Sequence, residues 1–448
     1  MPYIPTTDAE KAEMLAAIGV SSIDELFEDI PEKVRFRGKL NLPSGMTESE
    51  VMRHLASLAA KNADLDAYTC FLGAGAYDHL IPAAVENIVA RNEFVTAYTP
   101  YQAEISQGVL QTIYEYQSLI CAITELDVAN ASMYDGASSM AEACIMALAA
   151  ADRPKVVMSG SIHPAYRKVT ETYLQHQGAE LVTVPVTQGR TDLAALADAI
   201  DGQTAAVVVQ HPNAFGALEE THRIGQLAKQ HGALYIAVVD PISLGILEPP
   251  GPYGADIAVG EGQSLGNPVS FGGPYLGFLA ARKELVRQVP GRIVGRTVDQ
   301  QGREGFVLTL QTREQHIRRE RATSNICTNQ ALNALTATVY LCLVGKAGFR
   351  RIAELCLQKA HYAYEQLCRI PGWEPPWQVP FFKEFAMRSP VNVFELNEAL
   401  LERKIIGGFP LEHWRDSLAN VVLICVTEAR TRSEIDEFVA AVREISAK

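Results

Sequence analysis

The sequence lacks several features that would assign the protein to a special class. It has no continuous apolar run of 18 residues, and its opening, MPYIPTTDAEKAEM, lacks the charged-then-apolar order of a secretion signal. It has no C-x-x-C pair and no H-E-x-x-H spacing, so we predict no metal site. Positive charge is scarce too, and the net charge of -13 disfavours binding to nucleic acid or to a membrane surface. We therefore expect a cytoplasmic protein.

Cysteine is infrequent and scattered. Most of the eight cysteines lie in apolar stretches such as VYLCLVG, where a free thiol behaves as a small hydrophobic side chain. Cys327 differs, because its surroundings, ATSNICTNQ, are polar. With 448 residues and 48% hydrophobic residues, the chain is long enough for one large core and two or three structural units.

Hydrophobic patterning divides the chain into three parts. Residues 1–66 are predicted to form a helical arm, because residues 22–25 and 47–50 both match a capping box. In residues 67–330, near-continuous apolar strand candidates alternate with helices, which predicts a mostly parallel sheet covered on both faces. Residues 331–448 are predicted to form a small α+β domain with two strands, VNVFEL and VVLICVTE. The charged run QTREQHIRRERATSNICTNQ is interpreted as a solvated helix.

Polar residues follow several of the predicted strands. Ser138 and Ser139 lie in the turn MYDGASSMAEA, where a helix N-terminus is able to bind an anion such as phosphate. Asp240 ends the buried strand LYIAVV and is placed to pair with a cationic nitrogen of a ligand. His163 and Gln210 follow two further strands, and ligands of such sheets bind at the carboxyl ends of the strands. The structural alternatives are a serine-capped helix and a simple Asp-Pro turn.

Two other segments contain unusual polar or glycine-rich patterns. In AYTPYQAEISQG, the side chains of Tyr98, Thr99, Tyr101 and Gln102 surround a turn that the proline fixes, although a surface loop with half-buried tyrosines is the plainer interpretation. FLGAGAYDHL lacks the third glycine of a dinucleotide-binding fingerprint, so a nicotinamide or flavin site is disfavoured.

Taken in order and over essentially the whole chain, these segments resemble the P-protein family of the glycine cleavage system, the decarboxylating glycine dehydrogenases. They are most similar to the α-chain branch of its two-chain bacterial form. The resemblance rests on FLGAGAYDHLIP, YTPYQAEISQG, YQSLICAITELDVANASMYDGASSMAEA, GQSLGNPVSFGGPYLGF and RRERATSNICTNQAL. It implies an α/β fold of the aspartate-aminotransferase type, fold type I of the pyridoxal phosphate (PLP) enzymes. It also implies an oxidoreductase that decarboxylates glycine and transfers the aminomethyl group to the lipoyl group of an H protein.

The resemblance further implies that this chain does not hold the cofactor. In the family, a lysine of the β chain forms the Schiff base with PLP, and comparison of the glycine-rich loops puts Gln263 at that position. No lysine occurs between Asp240 and Arg282. We therefore expect no catalytic residue in this chain alone and no covalently bound PLP, the cofactor being carried by the β subunit. Ser138, Ser139, Asp240 and Gln263 are then remnants of a cofactor site.

Because active sites of this fold lie at subunit interfaces, the resemblance implies that the chain completes the pocket of its β subunit, in a dimer of heterodimers. The candidate residues are Tyr98, Thr99, Tyr101 and Gln102, followed by Thr323, Asn325 and Cys327. Two alternatives remain open at this point. One is a self-sufficient PLP enzyme that uses another lysine, of which Lys283 is the nearest downstream, and the other is a purely structural partner chain.

Overall fold

The computed structural model describes residues 5–95, 97–322, 324–328 and 330–447. The chain divides into two units after Asn62. The helices of the first unit are α1 (Asp8–Ile18) and α2 (Glu48–Ala59). No residue described between 5 and 62 is buried.

The two predicted capping boxes of the first unit have different outcomes. The box at Thr47 is confirmed, because the Thr47 backbone N–H donates to Glu50 Oε2 at 2.7 Å and α2 follows. The box at Ser22 is wrong. Its side chain makes no capping hydrogen bond, and Glu25 accepts instead from the Ser21 backbone N–H, so this segment forms a single 3-10 turn.

The second unit contains the large sheet and a smaller one. Its helices are α3 (Ala83–Val89), α4 (Gln107–Thr124), α5 (Gly136–Ala151), α6 (Pro164–Leu174), α7 (Leu193–Ala199), α8 (Thr221–Gln230), α9 (Gln315–Arg318), α10 (Gln330–Leu367), α11 (Val393–Leu401) and α12 (Arg432–Ser446). Its strands are β1 (Thr69–Cys70), β2 (Val128–Ala129), β3 (Lys155–Ser159), β4 (Glu180–Val184), β5 (Val186–Thr187), β6 (Arg190–Thr191), β7 (Thr204–His211), β8 (Leu234–Val239), β9 (Ile257–Glu261), β10 (Gly277–Ala281), β11 (Ile293–Val298), β12 (Glu304–Thr309), β13 (Glu384–Arg388), β14 (Ile405–Ile406), β15 (Phe409–Pro410) and β16 (Val421–Cys425).

The predicted, mostly parallel sheet is confirmed. Its strand order is β2-β10-β9-β8-β7-β3-β4, in which β9, β8, β7, β3 and β4 run parallel and β10 is antiparallel to both of its neighbours. Both faces are covered, since Val207 belongs to one apolar core and the next residue, Val208, belongs to the other. Burial on both faces explains why these strands are continuous apolar runs.

The order of the strands creates a crevice at one edge of this sheet. From β3, the chain first adds β4 on one side and then returns to add β7 on the other. Such a reversal leaves space at the carboxyl ends of the parallel strands, where ligands of this type of sheet bind. The residues that follow β3, β7, β8 and β9 therefore lie at the same edge.

A smaller antiparallel sheet, β13-β16-β15, packs with α11 and α12. VVLICVTE is confirmed as a strand, β16, whereas the strand prediction for VNVFEL is wrong. The Asn392 side chain accepts the backbone N–H of Phe394 at 2.9 Å and starts α11, whose Val393, Leu396 and Leu400 are buried at helical spacing.

The long helical prediction for the charged run before residue 330 is also wrong. Within the described residues, the run contains only 3-10 turns and the four-residue α9, which ends where Arg319 has a φ of 54°. A side chain with that backbone conformation interrupts a right-handed helix. Downstream of this run lies the long helix α10, in which Gly345 has a φ of 58° between the two halves. By length and composition α10 is able to span a membrane, but Tyr340 and Ala353 pack into the core.

Candidate functional site

The carboxyl ends of the parallel strands surround one cavity. Its walls include Tyr77, His163, Gln210, Asp240 and Glu261. Of the residues predicted at this edge of the sheet, His163, Gln210 and Asp240 line the cavity, whereas Ser138 and Ser139 do not. Its volume is about 40 Å³. A cavity of this size holds roughly one water molecule, whereas pockets for small molecules measure roughly 300–1,000 Å³. The crevice is therefore filled by the protein.

Asp240 is paired with a lysine that directly precedes β13 of the smaller sheet. The Lys383 Nζ atom lies 2.8 Å from Asp240 Oδ2, and the lysine side chain is fully buried. Burial works against the charge of this ammonium, but the surrounding groups, with the Asp240 carboxylate foremost, together raise the pKa of Lys383 above its ordinary value. Lys383 therefore remains protonated. It neutralises the Asp240 carboxylate, which was predicted to pair with a cationic nitrogen of a ligand.

Lys383 extends this pairing to a histidine and a second carboxylate. Its Nζ atom is 3.1 Å from His79 Nε2, and His79 Nδ1 is 2.6 Å from Glu428 Oε2. Since an ammonium only donates hydrogen bonds, Nε2 is the acceptor, and Nδ1 carries the proton that it donates to Glu428. Burial opposes the charge of Glu428, but His79, the Leu80 backbone N–H and Cys356 together outweigh it, and the pKa of Glu428 falls to about 2.

A cysteine completes this network. Cys356 Sγ donates to Glu428 Oε2 at 3.3 Å, and burial raises the pKa of the thiol, so that it keeps its proton. Ligand-type atoms of His79, Cys356 and Glu428 lie within 4.8 Å of one another, as metal ligands do. The ammonium of Lys383 beside His79 adds a positive charge to this cluster, and the hydrogen bonds account for the contacts. The absence of a metal site stays a prediction.

Gln263 has a structural task in the glycine-rich loop. Its Oε1 accepts the Tyr77 backbone N–H at 2.9 Å, and its Nε2 donates to the Tyr77 carbonyl at 3.0 Å and to the Asn267 carbonyl at 2.8 Å. The segment around Tyr77 is thus held against the loop by both the oxygen and the nitrogen of one side-chain amide. A lysine ammonium has no acceptor and is unable to make the first of these bonds.

The N-terminus of α5, predicted to bind an anion, is capped by a carboxyl group of the chain. Glu261 Oε2 accepts the Gly136 backbone N–H at 3.0 Å, while Oε1 accepts the N–H groups of Gln263 and Leu276 at 3.0 and 2.9 Å. Burial raises the pKa of Glu261 to about 8 despite these donors. The first N–H of the helix is therefore already bound.

The two serines of the same turn are buried and bond to their own helix. Ser138 and Ser139 donate to the Asp135 carbonyl at 3.1 and 2.6 Å. The serine-capped alternative is wrong in its detail, because Asp135 is the cap and its Oδ1 accepts the Ser138 backbone N–H at 2.7 Å. An aspartate directly before the first helical residue outcompetes the hydroxyls that lie inside the helix.

The tyrosine segment forms a separate, exposed surface. Tyr98 and Tyr101 are 66% and 63% exposed, Gln102 is exposed and Thr99 is half-buried. Arg292 Nη2 donates to the Tyr101 hydroxyl at 2.9 Å, and the guanidinium lies 5.1 Å from the centre of the Tyr101 ring. Within the described residues, this segment contributes nothing to the wall of the strand-end cavity.

Arg292 also brings the second group of candidates to this surface. Its Nη1 donates to the Ile326 carbonyl at 2.7 Å, so that one buried arginine connects the two segments. The side chains of Asn325 and Cys327, on either side of Ile326, are exposed. Thr323 lies outside the described residues. We call the surface formed by Tyr98, Thr99, Tyr101, Gln102, Asn325 and Cys327 the tyrosine face.

Sequence reasoning missed Lys383, His79, Glu261 and Arg292. Lys383 had the clearest signal, since a charged residue inside the apolar run PFFKEFAM requires a buried partner. Arg292 lies in PGRIVG, where a lone arginine precedes an apolar strand. Nothing local distinguishes His79 or Glu261, because their partners come from distant parts of the chain.

Comparison with known proteins gives matches over nearly the full length. The family model for the glycine cleavage system P-protein matches residues 1–442. A protein of Carboxydothermus hydrogenoformans named probable glycine dehydrogenase (decarboxylating) subunit 1 is 57% identical over 439 residues, 98% of each chain. Its namesake from Moorella thermoacetica is 55% identical over 447 residues, 100% of each chain.

Solved structures agree with these sequence matches. A crystal structure of glycine decarboxylase (P-protein) of the glycine cleavage system, in inhibitor-bound form, superposes with a TM-score of 0.91 and 44% identity, covering 99% of this chain and 100% of that one. A sphingosine-1-phosphate lyase of Burkholderia pseudomallei has a TM-score of 0.66 at 14% identity, covering 93% of this chain and 96% of that one, and shows the fold alone.

Proposed function

The chain belongs to the glycine cleavage system P-protein family, and we propose that it is the subunit of a two-chain glycine dehydrogenase (decarboxylating) that carries no PLP itself. Its fold is that of the fold type I PLP enzymes. In this proposal, the partner subunit supplies the cofactor that withdraws electrons from the bound glycine, and this chain completes the partner's pocket.

The observation that carries the proposal is the hydrogen bonding of Gln263. This residue stands where the family's Schiff-base lysine is expected, and its amide is fully engaged by the backbone of Tyr77 and Asn267. Lys383 already neutralises Asp240, and the remaining cavity measures about 40 Å³. The residues present do not fit PLP.

The two lysines that are alternatives for a self-sufficient enzyme are poorly placed. Lys283 follows β10, whose end at Ala281 pairs with Ile257 at the start of β9, so that this lysine lies at the edge opposite the cavity. Lys383 reaches Asp240, but a protonated lysine held in an ion pair is not a nucleophile.

The tyrosine face is the surface that we assign to the partner's pocket. The substrate glycine has no side chain for the protein to contact, so its binding energy comes from its carboxylate and from the cofactor. The Tyr101 hydroxyl accepts a hydrogen bond from Arg292, which leaves its proton for another acceptor, such as a carboxylate or phosphate oxygen. Arg292 acts here as a positioning residue, since it fixes Tyr101 and the chain at Ile326 together.

Reconstitution tests this proposal. Each chain is purified alone and then mixed, and the exchange of the glycine carboxyl group with CO2 is measured together with the PLP trapped by borohydride in each chain. We expect little exchange from either chain alone, full exchange on mixing, and trapped PLP in the partner only. Stoichiometric trapping on Lys283 or Lys383 would contradict the proposal, and so would full activity of the partner alone.

The further partners assigned by the resemblance remain part of the proposal. They are a lipoylated H protein, which takes the aminomethyl group, and a second heterodimer. The names of the relatives support a partner subunit, because they designate a subunit 1. Pull-down with lipoylated and unlipoylated H protein, and the mass of the complex in solution, test these two assignments.

A further inference from the structure

Tyr77, Asp240 and Glu261, from distant parts of the chain, line the cavity, and Lys383 contacts the first two of them. Asp240 follows β8, Glu261 ends β9, Lys383 directly precedes β13, and Tyr77 lies in the glycine-rich segment after β1. Lys383 Nζ lies 3.5 Å from the centre of the Tyr77 ring, and the Tyr77 hydroxyl donates to Glu384 Oε2 at 2.8 Å. The ring is therefore fixed at its backbone by Gln263, at its face by Lys383 and at its hydroxyl by Glu384.

These contacts engage each feature by which a site of this fold would hold a phosphorylated pyridine. A carboxylate at the position of Asp240 pairs with a cationic ring nitrogen, but here it pairs with the Lys383 ammonium. Backbone N–H groups at the start of α5 would bind phosphate oxygens, but the Gly136 N–H donates to Glu261. Tyr77, which carries an aromatic ring, lines the same cavity as Asp240 and Glu261.

We propose that Lys383, Tyr77 and Glu261 are an internal substitute for the cofactor, which keeps the ancestral site permanently closed. The ammonium replaces the cationic ring nitrogen, the phenol ring replaces the pyridine ring, and the carboxyl group replaces the phosphate. This inference rests on the family assignment of the fold, but it does not depend on which residues reach the partner's pocket. The loss of the lysine removes only the covalent bond to the cofactor, whereas the internal substitute also prevents noncovalent binding.

The burial of the ion pair explains why the substitute is needed. Asp240 and Lys383 have side chains that are 12% and 2% exposed, and a carboxylate in such a place is costly without a cation. In an enzyme that binds PLP, the cofactor supplies this cation. In this chain the cation comes from the sequence, so we expect folding to be independent of PLP.

Pyridoxine 5'-phosphate tests the substitution. It carries the pyridine nitrogen and the phosphate but no aldehyde, so it does not react with surface lysines. We expect it to leave the Tm of the wild-type chain unchanged. It should raise the Tm of the Tyr77→Ala/Glu261→Ala/Lys383→Ala variant, in which all three substitutes are removed, saturably and by a few degrees, while inorganic phosphate at the same concentration does not. A saturable shift of the wild-type Tm would overturn the proposal, and so would a folded triple variant that does not respond.

A second measurement covers the case in which the opened variant does not fold. We expect Lys383→Met to lower the Tm by roughly 5 °C, because it leaves Asp240 buried without a cation, and Asp240→Asn/Lys383→Met to recover at least half of that loss. Lys155→Met is the matched control, since Lys155 also lies 2.8 Å from a carboxylate, but that of Asp201 is 52% exposed. A change below about 1 °C is expected there. Independent effects of the Asp240 and Lys383 substitutions would overturn the proposal.

Discussion

Replacement of Tyr101 by phenylalanine removes a single hydroxyl from the tyrosine face. The hydroxyl oxygen accepts from Arg292 Nη2 at 2.9 Å, and the Tyr101 side chain is 63% exposed in the isolated chain. Phenylalanine keeps the ring over the guanidinium, at the 5.1 Å separation seen here, and therefore keeps the cation–π contact. The variant loses the hydrogen bond from Arg292 and the proton that the hydroxyl is able to donate across the proposed subunit interface.

The size of the effect follows from that lost donor. A hydrogen bond to a charged acceptor contributes about 1.5–3 kcal/mol, which corresponds to about a ten- to hundredfold change in rate or affinity. The stability of the chain should change little, because an exposed side chain away from the core typically contributes within about 0.5 kcal/mol. We therefore expect glycine turnover to fall by about that factor with no measurable change in Tm.

The assay uses the reconstituted complex and measures kcat and KM for the exchange of the glycine carboxyl group with CO2. A rise in KM alone would assign the hydroxyl to the bound glycine, whereas equal losses in kcat and kcat/KM would assign it to the transition state. Tyr173→Phe on α6 is the matched control, since that tyrosine is also partly exposed, and no effect is expected.

Two results would refute the reasoning. An intact complex with unchanged kcat and KM would remove the tyrosine face from the active site. Failure of the two chains to associate would instead make Tyr101 a structural residue of the interface. Arg292→Lys gives an independent check, because a lysine keeps the charge but is unable to hold Tyr101 and the Ile326 carbonyl at once, and the same loss of turnover is expected.

Two further predictions concern the closed cavity. In the Gln263→Lys variant, we expect borohydride to trap no PLP on the introduced lysine, and a trapped adduct at position 263 would contradict this. The variant should also be less stable by about 1–3 kcal/mol, since the Tyr77 N–H loses its acceptor. Glu261 keeps its proton to about pH 8 in the folded chain and loses it near its ordinary pKa when unfolded, so the folded state binds more protons between these values. The free energy of unfolding, measured by urea denaturation, should therefore fall by a few kcal/mol as pH rises through this window. Glu261→Gln should flatten this dependence on pH, and identical pH profiles for the two proteins would refute the prediction.

Local sequence determined the elements of the large domain. The strands β3, β7, β8 and β9 are continuous apolar runs, because a parallel sheet covered on both faces leaves no polar side to alternate with. The same pattern put Asp240 at the end of β8 and hence at the crevice. The missing lysine was also visible in the sequence, since it is a matter of composition within one loop.

Local sequence was a poor guide where two kinds of pattern compete. VNVFEL has the composition of a strand, but Asn392 starts a helix whose buried residues follow helical spacing. The arginine-rich run before residue 330 has the composition of a solvated helix, yet Arg313 is buried and donates to the Gly291 carbonyl at 3.2 Å. Tertiary packing overrode the propensity in both places.

Tertiary structure alone decided which charges and amides meet. Gln263 and Tyr77 are separated by 186 residues, and Arg292 and Tyr101 by 191, so no periodicity in either segment relates them. Lys383 reaches Asp240 only because the start of β13 packs beside the crevice of the large sheet. The sequence by itself determined that the glycine-rich loop around Gln263 contains no lysine. The fold determined what fills the crevice, because a buried carboxylate and unpaired N–H groups are costly until packing brings them a partner.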